Sequence, residues 1–157
     1  MTEEQRGKEL SERVSSLLRE NALLAERIER LRESEDKFKT IFENANDHIV
    51  YMGIDGIVID VNPKVEDLFG YKREEVVGKR SYEFGALTPD DWQRCIDLNR
   101  DLIEGRATHP RILELKAVRK DGTTVFIEVN PRLVVRDGEV KGILTITRDI
   151  TARKREE

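Results

Sequence analysis

Residues 1–38 carry an apolar side chain at every seventh position, and few folds accept such a pattern. Leu10, Leu17, Leu24, Leu31 and Phe38 share one heptad position, d, while Val14, Asn21 and Ile28 share another, a. The segment holds no proline, and its one glycine, Gly7, lies near the start. Glu, Arg, Leu and Ala, which dominate it, are good helix formers. A seam repeating every seven residues is narrower and longer than the apolar stripe of a surface helix, and it predicts a coiled coil. Asn21 at a core position can bond to its own copy across a parallel two-stranded coil and so fix the register. The predicted dimer seam is Leu10, Val14, Leu17, Asn21, Leu24, Ile28 and Leu31. Other features pull the opposite way. In a parallel dimer Arg27 at g would face Arg32 at e of the partner, Leu18 and Leu23 widen the apolar face, and Glu35 breaks the a series. A single amphipathic helix folded onto its own domain is the alternative.

Composition limits the partners and the compartment. Charged residues make up 38% of the 157 positions and the net charge is −4, with both signs interspersed, so no basic excess points to nucleic acid. Cys95 is the single cysteine. One thiol forms no internal disulfide and no multi-cysteine metal site, so no metal is expected and a reducing compartment is the simpler reading. The opening MTEEQRGKEL lacks the positive and then apolar grammar of a secretory signal. No run reaches the roughly 18 apolar residues that span a bilayer. The expectation is a cytoplasmic segment with no membrane span, which equally suits the cytoplasmic piece of a larger receptor.

From Ile41 onward the grammar changes to short apolar runs punctuated by Gly, Asn and Asp. His48–Met52 and Ile57–Val61 read as strands joined through Gly53-Ile54-Asp55-Gly56. Asn62 and Pro63 open a short helix that Gly70 ends, and Lys72–Val77 reads as another, stopped at Gly78. Thr88-Pro89-Asp90-Asp91 starts a third helix, closed by Gly105. Strands follow at Ile112–Val118, Thr123–Val135, with a bend or bulge near Pro131, and Val140–Ile150. The order β-β-α-α-α-β-β-β predicts an α+β fold: a five-stranded antiparallel sheet with helices packed on one face, preceded by the long coiled-coil helix.

Residues 34–151 resemble a PAS domain with its C-terminal PAC part. The resemblance is carried by Ser34-Glu35-Asp36-Lys37-Phe38-Lys39-Thr40-Ile41-Phe42-Glu43-Asn44-Ala45, Asp55-Gly56, Asp60-Val61-Asn62, Leu68-Phe69-Gly70-Tyr71 and Glu74-Glu75-Val76-Val77-Gly78. It continues in Lys120-Asp121-Gly122-Thr123, Phe126-Ile127-Glu128-Val129 and Arg148-Asp149-Ile150-Thr151. Each motif is weak alone, and their order and spacing make the match specific. The division it implies is a coiled-coil helix at 1–38, a PAS/PAC sensory domain at 39–151 and the start of a C-terminal linker helix at 152–157. It implies a sensory and dimerisation module of a signal-transduction protein, relaying a small ligand, a redox change or a partner's state to a downstream effector. The alternatives are a ligand-free structural dimerisation module, or the sensor fragment of a histidine kinase or cyclic-nucleotide enzyme. Because the chain stops just after the linker helix begins, a fragment or a short adaptor is expected.

The resemblance also places a small ligand between the sheet and the helix near Trp92–Ile103. Strand parity nominates Ile57, Ile59, Leu113, Leu115, Ile127 and Val129 as lining residues, with Cys95, Ile96 and Ile103 from the helix. A filled apolar core without ligand is the competing reading, since a small domain needs that core to fold. Ile49, Tyr51 and Phe126, of opposite parity, fall on the outer face. Asn62 is expected to bond the amides of the turn after it, and Asp149 and Thr151 to cap the outgoing helix near Ala152. No cofactor is expected. The light-sensing relatives carry a reactive cysteine in the segment matching Lys79–Phe84, where this chain has none, and Cys95 suits a small buried hydrophobe. Haem-binding relatives place an axial histidine on the pocket helix, whereas His48 opens a strand and His109 precedes Pro110 in a loop. No Gly-x-x-x-x-Gly-Lys-Ser/Thr, kinase glycine loop or Gly-x-Ser-x-Gly occurs, and a helix first turn accounts for Asp90 and Asp91, so no catalytic residue is expected.

Overall fold

The computed structural model describes residues 1–106 and 111–157, so His109 lies outside the described residues. The chain divides into two compact units, Met1–Ile41 and Phe42–Glu157. The first consists of most of helix α1, Glu3–Asn44, an unbroken helix of 42 residues. It outruns the sequence expectation, because nothing before Ala45 stops it. The seam side chains Leu10, Val14, Leu17, Leu24, Ile28 and Leu31 are all exposed on this single chain.

The second unit is built on five antiparallel strands in the order β2-β1-β5-β4-β3. They are β1 His48–Met52, β2 Val58–Val61, β3 Leu113–Val118, β4 Thr124–Arg136 and β5 Glu139–Asp149. Helices α2 Lys64–Phe69, α3 Arg73–Val76 and α4 Pro89–Ile103, with a 3₁₀ turn at Ser81–Phe84, lie between β2 and β3, and α5 Thr151–Glu156 follows β5. The fold class and strand count match the expectation from sequence.

Local chemistry explains each junction. Gly70 takes φ 83° and receives the C-terminus of α2 by donating its N–H to the Glu66 carbonyl. Thr88 caps α4 by accepting from the Asp91 amide at 3.2 Å, with Pro89 at the first helical position. Asp137 and Gly138, at φ 53° and 76°, form the two-residue hairpin between β4 and β5, where both positions need a left-handed backbone.

Two details depart from expectation. Pro131 pairs with Thr145 inside the β4–β5 ladder, and the register shift falls later, between Val134 and Val135. The β3 partnership ends at Leu113–Val129, so Pro131 stands where β4 has lost one neighbour and a proline is tolerated. The Asn62 side chain does not bond the turn that follows it. Its Oδ1 accepts from the Ile49 amide at 2.9 Å and its Nδ2 donates to the carbonyls of Phe42 and Asp47 at 3.0 and 2.9 Å. Fully buried, it ties the chain entering β1 to the end of β2.

The inner sheet face carries the core. Leu113, Leu115, Ala117, Val125 and Ile127 pack with Leu68 of α2 and Leu98 of α4 into one cluster. Val50, Val58, Val61, Val65 and Val76 form a second under β1 and β2. The β3–β4 turn holds α2 in place: the Lys120 amide donates to the Phe69 carbonyl at 2.8 Å and Arg119 Nε donates to the Leu68 carbonyl at 3.0 Å.

Candidate functional site

Between the two clusters the interior is open. A cavity of about 490 Å³ lies between α4 and the inner faces of β1, β4 and β5, within the ~300–1,000 Å³ range of small-molecule sites. Its floor is made by His48, Val50 and Met52 of β1, Ile127, Val129 and Pro131 of β4, and Ile143, Thr145 and Thr147 of β5. Trp92, Cys95, Ile96, Asn99 and Ile103 of α4 close it from above, and Phe69, Tyr71 and Phe84 form one side.

Buried polar side chains, His48, Thr145 and Thr147, stand on the cavity floor. His48 is 7% exposed, and neither of its ring nitrogens has a hydrogen-bond partner among the described residues. Its ring meets Phe69 edge to face at 5.4 Å and 84°, which fixes its plane. Burial pushes the imidazole down to about 4, so it is neutral at pH 7, one nitrogen donating and the other accepting. Thr147 stands opposite His48 across the β1–β5 ladder, with Thr145 opposite Val50. Trp92 Nε1, on α4, is a further buried donor without a partner. On its other side His48 borders a small polar cleft of about 160 Å³ lined by Asp47, Lys64, Asp67 and Asp149. Burial, with the Asp91 carboxylate second, pushes the Cys95 thiol up to about 11, so it stays protonated and a poor nucleophile.

Of the residues nominated from sequence, Cys95, Ile96, Ile103, Ile127 and Val129 line the cavity. Leu113 and Leu115 face the same side of the sheet but are consumed in the packed cluster beyond it. Ile57 and Ile59 do not line the cavity, which corrects the parity assumed for β2. Val50 pairs with Val61, Tyr51 with Asp60 and Met52 with Val58, leaving Ile59 as the extra residue of a bulge. The bulge turns Ile59 outward and lets both Val58 and Val61 face in. His48, Thr145 and Thr147 go unselected by sequence reasoning. The signal is present, because Ile49 and Tyr51 on the outer face require His48 to point inward, but a strand-opening histidine invites no such count.

The exit from the sheet is bonded in detail. Ile150 extends the ladder by donating its N–H to the Phe126 carbonyl at 2.9 Å. Asp149 Oδ1 accepts from the Thr151 amide at 2.9 Å, one residue ahead of Ile150, which takes the N-cap position of α5 without a side-chain cap bond. The Thr151 hydroxyl does not cap the helix; it accepts from the Phe126 amide at 3.1 Å, because β4 lies within reach and its N–H needs a partner. Arg153 pairs with Glu114 and, at 3.7 Å, with Glu128, while Lys154 reaches Glu114 at 2.6 Å. Both glutamates alternate with inward leucines and isoleucine, so α5 leaves across the outer face.

A curved antiparallel sheet with a ligand-sized hollow under a short helix, and a helix departing from its last strand, defines a sensory-domain architecture. Residues 46–152 match the PAS domain family, and the chain belongs to it. It is 38% identical over 128 residues to the methyl sulfide methyltransferase-associated sensor of Methanosarcina acetivorans, covering 81% of this chain and 12% of that protein. It is 32% identical over 124 residues to the signal transduction histidine-protein kinase AtoS of Escherichia coli, covering 79% of this chain and 19% of that one. The chain thus spans less than a fifth of either curated relative. Among solved structures, the PAS domain of an HTR-like protein from Haloarcula marismortui superposes with a TM-score of 0.61 at 30% identity, over 80% of this chain and 98% of that one. The chain is a PAS sensor domain of the kind found in signal-transduction proteins. Among the described residues no helix is long and apolar enough to cross a membrane.

Proposed function

We propose that this segment senses a small molecule held in the 490 Å³ cavity and passes its occupancy through the flanking helices to an effector. The observation that carries this reading is an apolar hollow holding buried, unpartnered polar groups at His48 and Trp92. Such groups cost about 1–3 kcal/mol each when unpaired, a cost that a bound molecule removes. A PAS domain of a LuxR-family regulator from Burkholderia thailandensis, alike in fold, was solved in complex with ethanol, which supports a small organic occupant.

The relay runs from the cavity floor along β5 to Ile150 and Thr151, and so into α5. A ligand moves that equilibrium only by binding one packing more tightly than another. The exposed seam from Leu10 to Leu31 supports a homodimer through a leader coiled coil, with residues 1–38 as leader and 39–151 as sensor. We read the segment as non-catalytic and cytoplasmic. The name of one curated relative, the histidine-protein kinase AtoS, supports an effector of the two-component type.

A thermal-shift screen of small metabolites on the whole chain tests the reading. At least one compound raises Tm, and hydrogen exchange in α5 changes with it. A folded protein that no compound stabilises is instead a ligand-free structural dimerisation module, which the packed leucine cluster at the β3 end would sustain.

A further inference from the structure

We propose that the cavity selects an uncharged molecule with an apolar body and one hydroxyl- or amide-like end, which exchanges hydrogen bonds with His48 beside Thr145 and Thr147. This rests on the reading of the cavity as a ligand site.

A neutral imidazole offers one donor and one acceptor, and the two threonine hydroxyls rotate to offer either. Trp92 Nε1 adds a donor. A group that both donates and accepts meets this set; a hydrocarbon leaves all of it unpaired. Among the described residues, an anion finds no buried cation lining the cavity. The arginines lining the cavity, Arg80 and Arg100, are exposed, with Arg80 donating to the Tyr82 hydroxyl at 3.2 Å and Arg100 paired to Asp97 at 3.5 Å. Charging His48 to meet an anion would oppose the burial that keeps it neutral. The cleft behind it carries three aspartates, each already paired: Asp47 with Arg148 at 3.2 Å, Asp149 with Arg119 at 3.9 Å and Asp67 with Lys64 at 3.4 Å, so Lys64 is not free to meet an anion there. A cation fares no better in the cavity, where the one lining carboxylate among the described residues, Asp55, is exposed and accepts from the Ile57 amide.

Four probes sharing one ring separate these cases by calorimetry at pH 7: benzyl alcohol, benzoate, benzylammonium and toluene. Benzyl alcohol is expected to bind about tenfold more tightly than each of the others. In His48→Leu its advantage over toluene falls to about twofold or less while toluene still binds, and His48→Gln, which keeps a donor and an acceptor, retains the preference. Circular dichroism checks that both variants fold. Benzoate or benzylammonium binding tightest overturns the proposal. Equal affinity for benzyl alcohol and toluene overturns the chemistry but leaves the cavity a ligand site; binding of none of the four by the folded protein, with no hit in the metabolite screen, overturns both. A Soret band on adding haemin that His48→Leu abolishes also overturns it, in favour of iron ligation.

Discussion

The two ends of this sheet's inner face are built from different side chains and do different things. At the β3 end Leu113 and Leu115 meet Leu68 and Leu98, and the space is full. At the β1–β5 end His48, Val50, Thr145 and Thr147 stand at comparable depth, and a hollow remains. The backbone ladder is continuous between them, and α4 contributes to both: Leu98 and Cys95 pack against the leucine cluster and also line the hollow, where Asn99 and Ile103 join them. Side-chain volume on a shared scaffold therefore sets whether a position supplies cohesion or recognition. A threonine hydroxyl facing inward makes sense only where something else supplies its partner.

The contrast has a large test and several smaller ones. Leu115→Ala, at 4% exposure, should cost about 3–4 kcal/mol in urea unfolding, because the packed cluster leaves a cavity that cannot collapse. A loss under about 1 kcal/mol would mean that the β3 end is as loose as the other. His48 gives the next effect. Its folded pKa of about 4 lies below its unfolded value of 6.5, so the unfolded chain binds the extra proton first. The stability from a neutral His48 is complete above pH 6.5 and is lost as pH falls towards 4, by about 3 kcal/mol. Hydrogen bonds from Lys120, Lys154 and Thr123 hold the carboxyls of Glu75, Glu114 and Asp121 below their ordinary range, so their losses come in more acid solution. Urea titrations across that window should flatten in His48→Phe; an unchanged slope would show that the ring is solvated in the native state. Thr145→Val at the open end should alter stability by about 1 kcal/mol or less, in either direction, while weakening any ligand that bonds the hydroxyl. Smallest of all, Glu114→Gln removes exposed, solvent-screened ion pairs and should leave the urea midpoint nearly unchanged, yet speed hydrogen exchange in α5. Unchanged exchange would show that Ile150 and Thr151 alone anchor that helix.

Most of the architecture was legible because local rules agreed with the global answer. Gly70, Thr88-Pro89 and Asp137-Gly138 each mark a junction whose backbone needs that residue type. The alternation in β3 maps directly onto its burial pattern. The site was less legible, for two reasons. A bulge inserts one residue without any marker in its own composition, so parity counted through Ile57 and Ile59 fails at Ile59. Alternation names the inward face but not how far helices descend onto it, so Leu113 and Leu115 could not be told apart from Ile127 and Val129. Asn62 illustrates the same limit: its partners, Phe42, Asp47 and Ile49, lie 13 to 20 residues upstream, where a local capping rule does not look.

Trp92 is the chain's single tryptophan, and it overhangs the hollow with its indole nitrogen unbonded. The domain thereby carries its own optical gauge. Emission from one indole reports the polarity and hydrogen bonding of one spot, so occupancy of the interior can be followed in these 157 residues without a dye, a tag or a knowledge of what enters, and in real time.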